Sequence, residues 1–345
     1  MSDRSRCSSA PCHRSPFRSL ATVRSNSPRT LAMPADFRAS NRDRGSVSVI
    51  VALSLLPITA LFAVVVDGGR NFVERQRVQD AVESAVVESA RTWANGGTAC
   101  SESSAALITA SLPEAATECV TSTGVVTVTA STTVPVTFLT LLGRETTEAS
   151  STASAAVGPT RATSGIRPLA LCADHPAVVA WRGSGASQSP VVTIGVEAGD
   201  GESCADSVPG NWALLDLDGG SNSNADLQRW IDGGFDGDVA VGDTVGGDPG
   251  IPTPAIGIDS IIGTQVTLPI YDNARAGGNG ALFDVVGFAV VEIVTARLTG
   301  AADQRSLDLR FQAGVLAGTP GPISQPSFGS TSWQVCAFDG EGHCS

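Results

Sequence analysis

Between Arg44 and Asp67 the chain carries no charge for 22 residues, Gly45 to Val66, and thirteen of these are Val, Ile, Leu or Phe. As a helix this run spans about 33 Å, enough to cross the hydrocarbon core of a bilayer. At the usual gain per large apolar side chain, those thirteen favour insertion by roughly 4–8 kcal/mol. Ser46, Ser48, Ser54 and Thr59 subtract from that sum, and Pro57 sits where a kink is expected. A cleaved signal peptide would have a shorter apolar region ending in a small-x-small site. The segment "ITALFAVVVDGG" has no A-x-A before Asp67, so an uncleaved span is the expectation.

Charge gives this span a direction. Residues 1–46 carry nine Arg against Asp3, Asp36 and Asp43, a net of +6, whereas the rest of the 345-residue chain carries thirteen Arg against thirty-one acids, a net of −18. Arg38, Arg42 and Arg44 stand directly before the apolar run, which places the N-terminus in the cytoplasm and the C-terminus outside the cell. The acidic body also argues against nucleic acid, whose phosphates require a basic surface. Residues 1–44 are rich in Arg, Ser and Pro, too poor in large apolar residues for a core, and are read as a disordered cytoplasmic head. Met33 is an alternative start.

After the span, Val78, Ala81, Val82, Ala85, Val86, Ala90 and Trp93 recur at three- and four-residue steps, with Arg75, Gln79 and Glu83 on the other face. This is an amphipathic helix stopped by Asn95-Gly96-Gly97. Its stripe can pack on the following domain or, through the helix 72–93, on a partner. From Gly124 the period becomes two, as Val alternates with Thr in "GVVTVTASTTVPVTF", and a strand is expected. A short apolar segment "FLTLLG", a second strand from Glu145 to Val157 and a linker over 159–166 follow. The last 180 residues read as β-rich, with strands over 191–196, 212–217, 261–271, 283–298 and 307–316. One short helix is expected over 225–231, capped by Asn224. Aromatics are 5% of the chain, so any core must be built mainly of Val, Ile, Leu and Ala. The organisation expected is a cytoplasmic head 1–44, a transmembrane helix 45–66, a juxtamembrane helix with a small α/β region 67–160, and a β-rich extracellular domain 161–345. The fold class is α+β: a single transmembrane helix, an amphipathic helix, then β-rich extracytoplasmic structure.

Six cysteines follow the span: Cys100, Cys119, Cys172, Cys204, Cys336 and Cys344. An even number in an exported region signals disulfides, and six allow fifteen connectivities. Pairing in sequence order is expected, because those pairs are 19, 32 and 8 residues apart. Zinc is the weaker alternative, since there is no C-x-x-C and His175 and His343 are isolated. Catalytic signatures are absent from the sequence: there is no H-E-x-x-H, G-x-S-x-G, phosphate loop or dinucleotide fingerprint. The chain is therefore read as no enzyme, with no cofactor. The one ion to consider is calcium, for which "DLDGGSNSNAD" and "DGGFDGDVAVGD" gather Asp216, Asp218, Asp232, Asp236 and Asp238. EF-hand spacing fails, since Ser221 stands where Gly is required and Leu227 where Glu is required. Asp, Asn and Gly are also the ordinary residues of turns.

The segment "RDRGSVSVIVALSLLPITALFAVVVDGGRNFVERQRVQDAVESAVVESA" resembles the N-terminal region of the TadE/TadG-like proteins of Flp (tight-adherence) pilus assembly systems. The shared pattern is Arg44-Gly45 before the span, Pro57 within it, Asp67 to Arg70 at its outer end, and the Arg/Gln/Ala-rich helix from Glu74 to Ala90. "VTFLTLLGRETTEASSTASAAVG" is similar to the strand and turn that follow in TadG-like proteins. Pilin-like TadE places a Glu five residues after its processing Gly, and here that position is Ile50. The resemblance therefore leans to TadG. It implies a membrane-anchored accessory of pilus assembly whose partners are the membrane and other pilus-assembly components, and it carries over no catalytic residue. The alternative is an envelope-anchored adhesive or ligand-binding module that uses the Asp-rich loops. A secreted enzyme with a carboxylate pair is a third class.

Overall fold

The structure is a computed structural model that describes residues 44–195, 214–220, 223–247, 257–275, 280–297 and 306–336. Two compact units are distinguished, Met1–Leu56 and Pro57–Ser345. Helix α1 runs from Arg44 to Ala94 without a break at Gly68-Gly69, so the apolar run and the amphipathic stripe belong to one helix. Among the described residues it is the one helix long and apolar enough to cross a membrane. In the first unit its large apolar side chains face outward, from Val47 to Leu56. Exposed apolar surface of that extent is uncommon on a protein surface in water, and the run is long enough to cross a bilayer core.

In the second unit the stripe of α1 is consumed within the chain. Val78, Val82, Ala85, Val86 and Ala90 are fully buried. They pack with Ile108 and Leu112 at the end of α2 (Glu102–Ser111) and with one face of a sheet. The sheet is formed by β1 (Ala116–Ser122), β2 (Val125–Pro135) and β3 (Thr146–Thr163). Period-two alternation puts Val126, Val128, Ala130 and Val134 of β2 inward, while Thr127 and Thr129 hydrogen-bond outward to Ser154 and Thr152. Each fully buried Val or Leu stabilises by about 1.5–3 kcal/mol, which explains why this helix face is apolar. The linker expected over 159–166 is instead largely strand, because β3 continues through Thr163.

The larger core lies further along. β4 (Leu171–Cys172), α3 (Pro176–Ser184), β5 (Val192–Gly195), β6 (Leu215–Asp216) and α4 (Asn224–Gly233) are short. β7 (Val239–Ala240) and β8 (Thr244–Gly247) lead to the long antiparallel strands β9 (Gln265–Arg275), β10 (Leu282–Arg297) and β11 (Ser306–Gln312). The second sheet has the order β4-β9-β10-β11-β5. Its inward residues, among them Leu268, Ile270, Phe283, Phe288, Leu309 and Phe311, meet Trp181 of α3 and Leu227, Trp230 and Ile231 of α4. The cap of α4 is Ser223 rather than the expected Asn224, since the Ser223 hydroxyl accepts from the Asp226 N–H at 3.1 Å. The strand expected over 307–316 is broken after Gln312, and β12 (Gly314–Val315) follows.

After β13 (Gly318–Pro320), β14 (Ser330–Val335) returns to the first sheet. It pairs antiparallel with β3, from Thr331 opposite Pro159 to Val335 opposite Ala155. Buried Ser330 donates to the Phe288 carbonyl at 2.7 Å, and buried Thr160 and Ser332 share a hydrogen bond of 2.9 Å. Gly287 is required here because a Cβ would collide with the Phe328 ring.

Candidate functional site

Asp67 is the first charge after the apolar run, and it is buried, at 3% exposure. A buried carboxylate needs charge-assisted donors to offset its lost hydration. Its Oδ1 accepts from the N–H of Thr137 at 2.9 Å, and its Oδ2 accepts from those of Phe138 and Leu139 at 2.8 Å each. These residues open a 3-10 turn, Leu139–Leu142, whose first N–H groups lack partners within the turn. Arg70 donates to the Thr137 hydroxyl at 3.1 Å, and the Asn71 amide donates to Thr147 at 2.7 Å. One face of α1, Asp67 to Asn71, therefore clasps the loop joining β2 to β3. Sequence reasoning noted Asp67–Arg70 as part of a resemblance and gave it no role. The available signal was a lone carboxylate placed immediately after 22 uncharged residues.

The acidic runs serve different ends. Asp216 lies in β6, and Asp218 follows in an exposed turn where its Oδ1 accepts from the Gly220 N–H at 2.9 Å. Asp232 lies in α4 and accepts from the Ser260 hydroxyl at 2.5 Å. Asp236 and Asp238 are exposed in the loop that precedes β7, and Asp243 accepts from the Ala240 N–H at 2.8 Å. Ser221 lies outside the described residues. Of the five candidate ligands, Asp216 and Asp218 are brought together. Among the described residues, no group of three or more His, Cys, Asp or Glu is arranged to hold a metal ion. Partial burial, then the hydrogen bond and charge of Asp218, push the Asp216 carboxyl above the ordinary carboxylate value. Its Oδ1 is a buried acceptor without a hydrogen bond.

A carboxyl with a raised folded pKa binds its proton more tightly folded than unfolded. The resulting penalty is absent below about 3.8, the ordinary value, and is complete once the pH passes the raised one. Asp216→Asn is thus expected to raise the melting temperature at pH 7 and to have no such effect at pH 3. In the same melts, millimolar calcium is expected to shift the parent protein by less than about one degree, with magnesium as the control. A larger calcium-specific rise would show that the Asp-rich loops converge on an ion.

Cys100, just before α2, is bonded to Cys119 in β1, with their Cα atoms 5.7 Å apart. This is the first of the pairs expected from sequence order. Cys172 and Cys336 are also disulfide-bonded, while Cys204 and Cys344 lie outside the described residues.

A cleft of about 550 Å³ opens between the end of α1, the end of α3, and β12 with β14. Trp93, Trp181, Arg182 and a set of small residues line it. Trp181 donates to the Phe328 carbonyl at 2.8 Å, and the Arg182 guanidinium lies 5.7 Å from the Phe328 ring centre. Among the described residues of the lining, Arg182 is the ionisable side chain, and no base stands beside the hydroxyls of Ser187, Ser327 and Thr331.

Residues 45–92 match the model of the family described as Flp pilus-assembly TadE/G-like. The matched stretch begins with the apolar run, contains the Asp67 clasp, and ends with the buried stripe. No curated protein and no solved structure matches the chain.

Proposed function

We propose that this chain, TadE/G-like over residues 45–92, is a membrane-anchored accessory of Flp-type pilus assembly, with its N-terminus in the cytoplasm and its folded part outside. The observation that carries the reading is that the family match covers one continuous helix with two chemically distinct halves. The first presents apolar side chains outward, and the second buries its apolar stripe against a sheet of the same chain. That arrangement fastens a folded body to a lipid anchor and leaves the body free to meet other assembly components. Within the helix 72–93 the stripe from Val78 to Ala90 is already covered by this sheet. A partner that reads the helix would therefore meet its outward face, where Phe72, Val73 and Val87 are exposed. The role is mechanical and involves no catalysis.

The test combines topology with piliation in the native host. Protease added to intact, wall-stripped cells should digest the body and leave a membrane-bound fragment containing residues 45–66. Loss of the chain should abolish or sharply reduce surface pili, with restoration by the full chain and not by one lacking 45–66. A soluble mature form beginning near Asp67, or unchanged piliation in the deletion strain, would sink the proposal. The adhesive or ligand-binding alternative would gain from a calcium-specific rise in the melts described above.

A further inference from the structure

We propose that the loop between β2 and β3, carrying Phe138, Leu139 and the 3-10 turn to Leu142, is a second membrane contact that rests in the lipid interface beside the outer end of α1. The inference deepens the reading above and rests on residues 45–66 crossing the bilayer. Where that span ends is fixed by the sequence, with Val66 as the last apolar residue and Asp67 as the first charge. Asp67 holds the loop at that level through the N–H groups of Thr137, Phe138 and Leu139.

Cover on α1 continues below this level. Ala63 is 8% exposed, although its neighbours Phe62 and Val64 are 59% and 67% exposed. Residues 63 and 67 are four apart and share a face of the helix, the face on which Asp67 holds the loop. Ala63 stands one turn, about 6 Å, on the apolar side of Asp67. Protein therefore covers α1 at a depth that lipid would otherwise occupy, and that depth matches the 5–10 Å to which interfacial segments are buried.

The composition of the loop suits that environment. Phe138-Leu139-Thr140-Leu141-Leu142 is followed by Arg144, and Arg70 bonds to Thr137 from the helix. Arg70 and Arg144 are exposed, and arginines flanking an apolar segment can place their guanidinium groups among lipid phosphates. The occupant is the lipid of the leaflet into which α1 emerges, because Asp67 ties the loop to the helix at the level where the apolar run ends. A loop seated in this way would hold the body close against the membrane and restrict its rotation about the anchor.

The experiment uses the full chain in phosphatidylethanolamine–phosphatidylglycerol bilayers, with Cys7→Ser and Cys12→Ser removing the thiols of the head. Single spin labels are placed at Thr140→Cys, which is exposed, at Leu55→Cys within the span, and at Gln79→Cys on the outer face of α1. Collisions with oxygen, which concentrates in lipid, are compared with collisions with a water-soluble nickel chelate. We expect the oxygen-to-nickel ratio at 140 to be several-fold above that at 79 and below that at 55. A ratio at 140 equal to that at 79, with 55 in lipid, overturns the second contact and leaves the span standing. A water-exposed label at 55 overturns both. As an independent measurement, Phe138→Trp should add quenching by brominated lipid that the parent lacks, and absence of added quenching counts against the proposal.

Discussion

Phe311→Ala is expected to lower the stability of the folded body by about 3–5 kcal/mol, the range for an aromatic removed from a well-packed interior. Phe311 is fully buried in β11, and its ring stacks on Trp181 with centroids 5.8 Å apart and planes 13° from parallel. Truncation removes that contact, worth about 0.5–1.5 kcal/mol beyond area, and leaves a void between the second sheet and α3. For a domain of this size the melting temperature should fall by about ten degrees. Phe72→Ala is the control. That side chain is 62% exposed and should change the melt by less than about a degree, the scale of an ordinary surface substitution. Equal shifts for the two variants would show that Phe311 does not belong to the core.

Removing the Cys100–Cys119 bridge by the double substitution Cys100→Ser and Cys119→Ser should cost about 3 kcal/mol, the loop-entropy value for a closure of this length. The separation is 19 residues. The effect should be concentrated on β1, which is exposed along nearly its whole length and lies at the edge of its sheet. It therefore has few buried contacts to hold it once the bridge is gone. Hydrogen exchange should accelerate over 116–122 well before β2 or β3 responds. Mass analysis of the unreduced, alkylated parent should find no free thiol among Cys100, Cys119, Cys172, Cys204, Cys336 and Cys344, and two or more stably free thiols would defeat the framework.

Features that the sequence made legible share a cause, in that local periodicity coincided with burial. The Val/Thr alternation of 125–134 is β2, and the three-and-four spacing of 78–90 is the buried face of α1. Leu307, Leu309 and Phe311 likewise point inward from β11. Elements without such a pattern were not expected. α3 is short, and its cap is His175, whose ring nitrogen accepts from Ala177. β14, "STSWQV", buries Ser330 and Ser332, so its inward face does not read as apolar. The Asp67 clasp was hidden for a different reason. Its partners are backbone N–H groups about 70 residues downstream, and any residue type there except proline would present the same donors. For the acidic runs, composition gave the residues and not their neighbours. Turn and cap hydrogen bonds engage Asp218, Asp226 and Asp243 locally.

The pairing of β14 with β3 also sets an order of events. Until residues 330–335 have arrived, β3 has β2 on one side and an unfilled strand edge along Ala155–Pro159 on the other. Contacts so distant in sequence form slowly, because the intervening chain must be ordered before they contribute. A chain of this design, exported as proposed above, completes its first sheet only after residues 330–335 have left the cytoplasm. In the interval its open edge is a template for wrong pairing and a target for protein quality control. Truncation just before Ser330 would make that transient state permanent, and the cell should clear such a chain even though most of its apolar residues are intact.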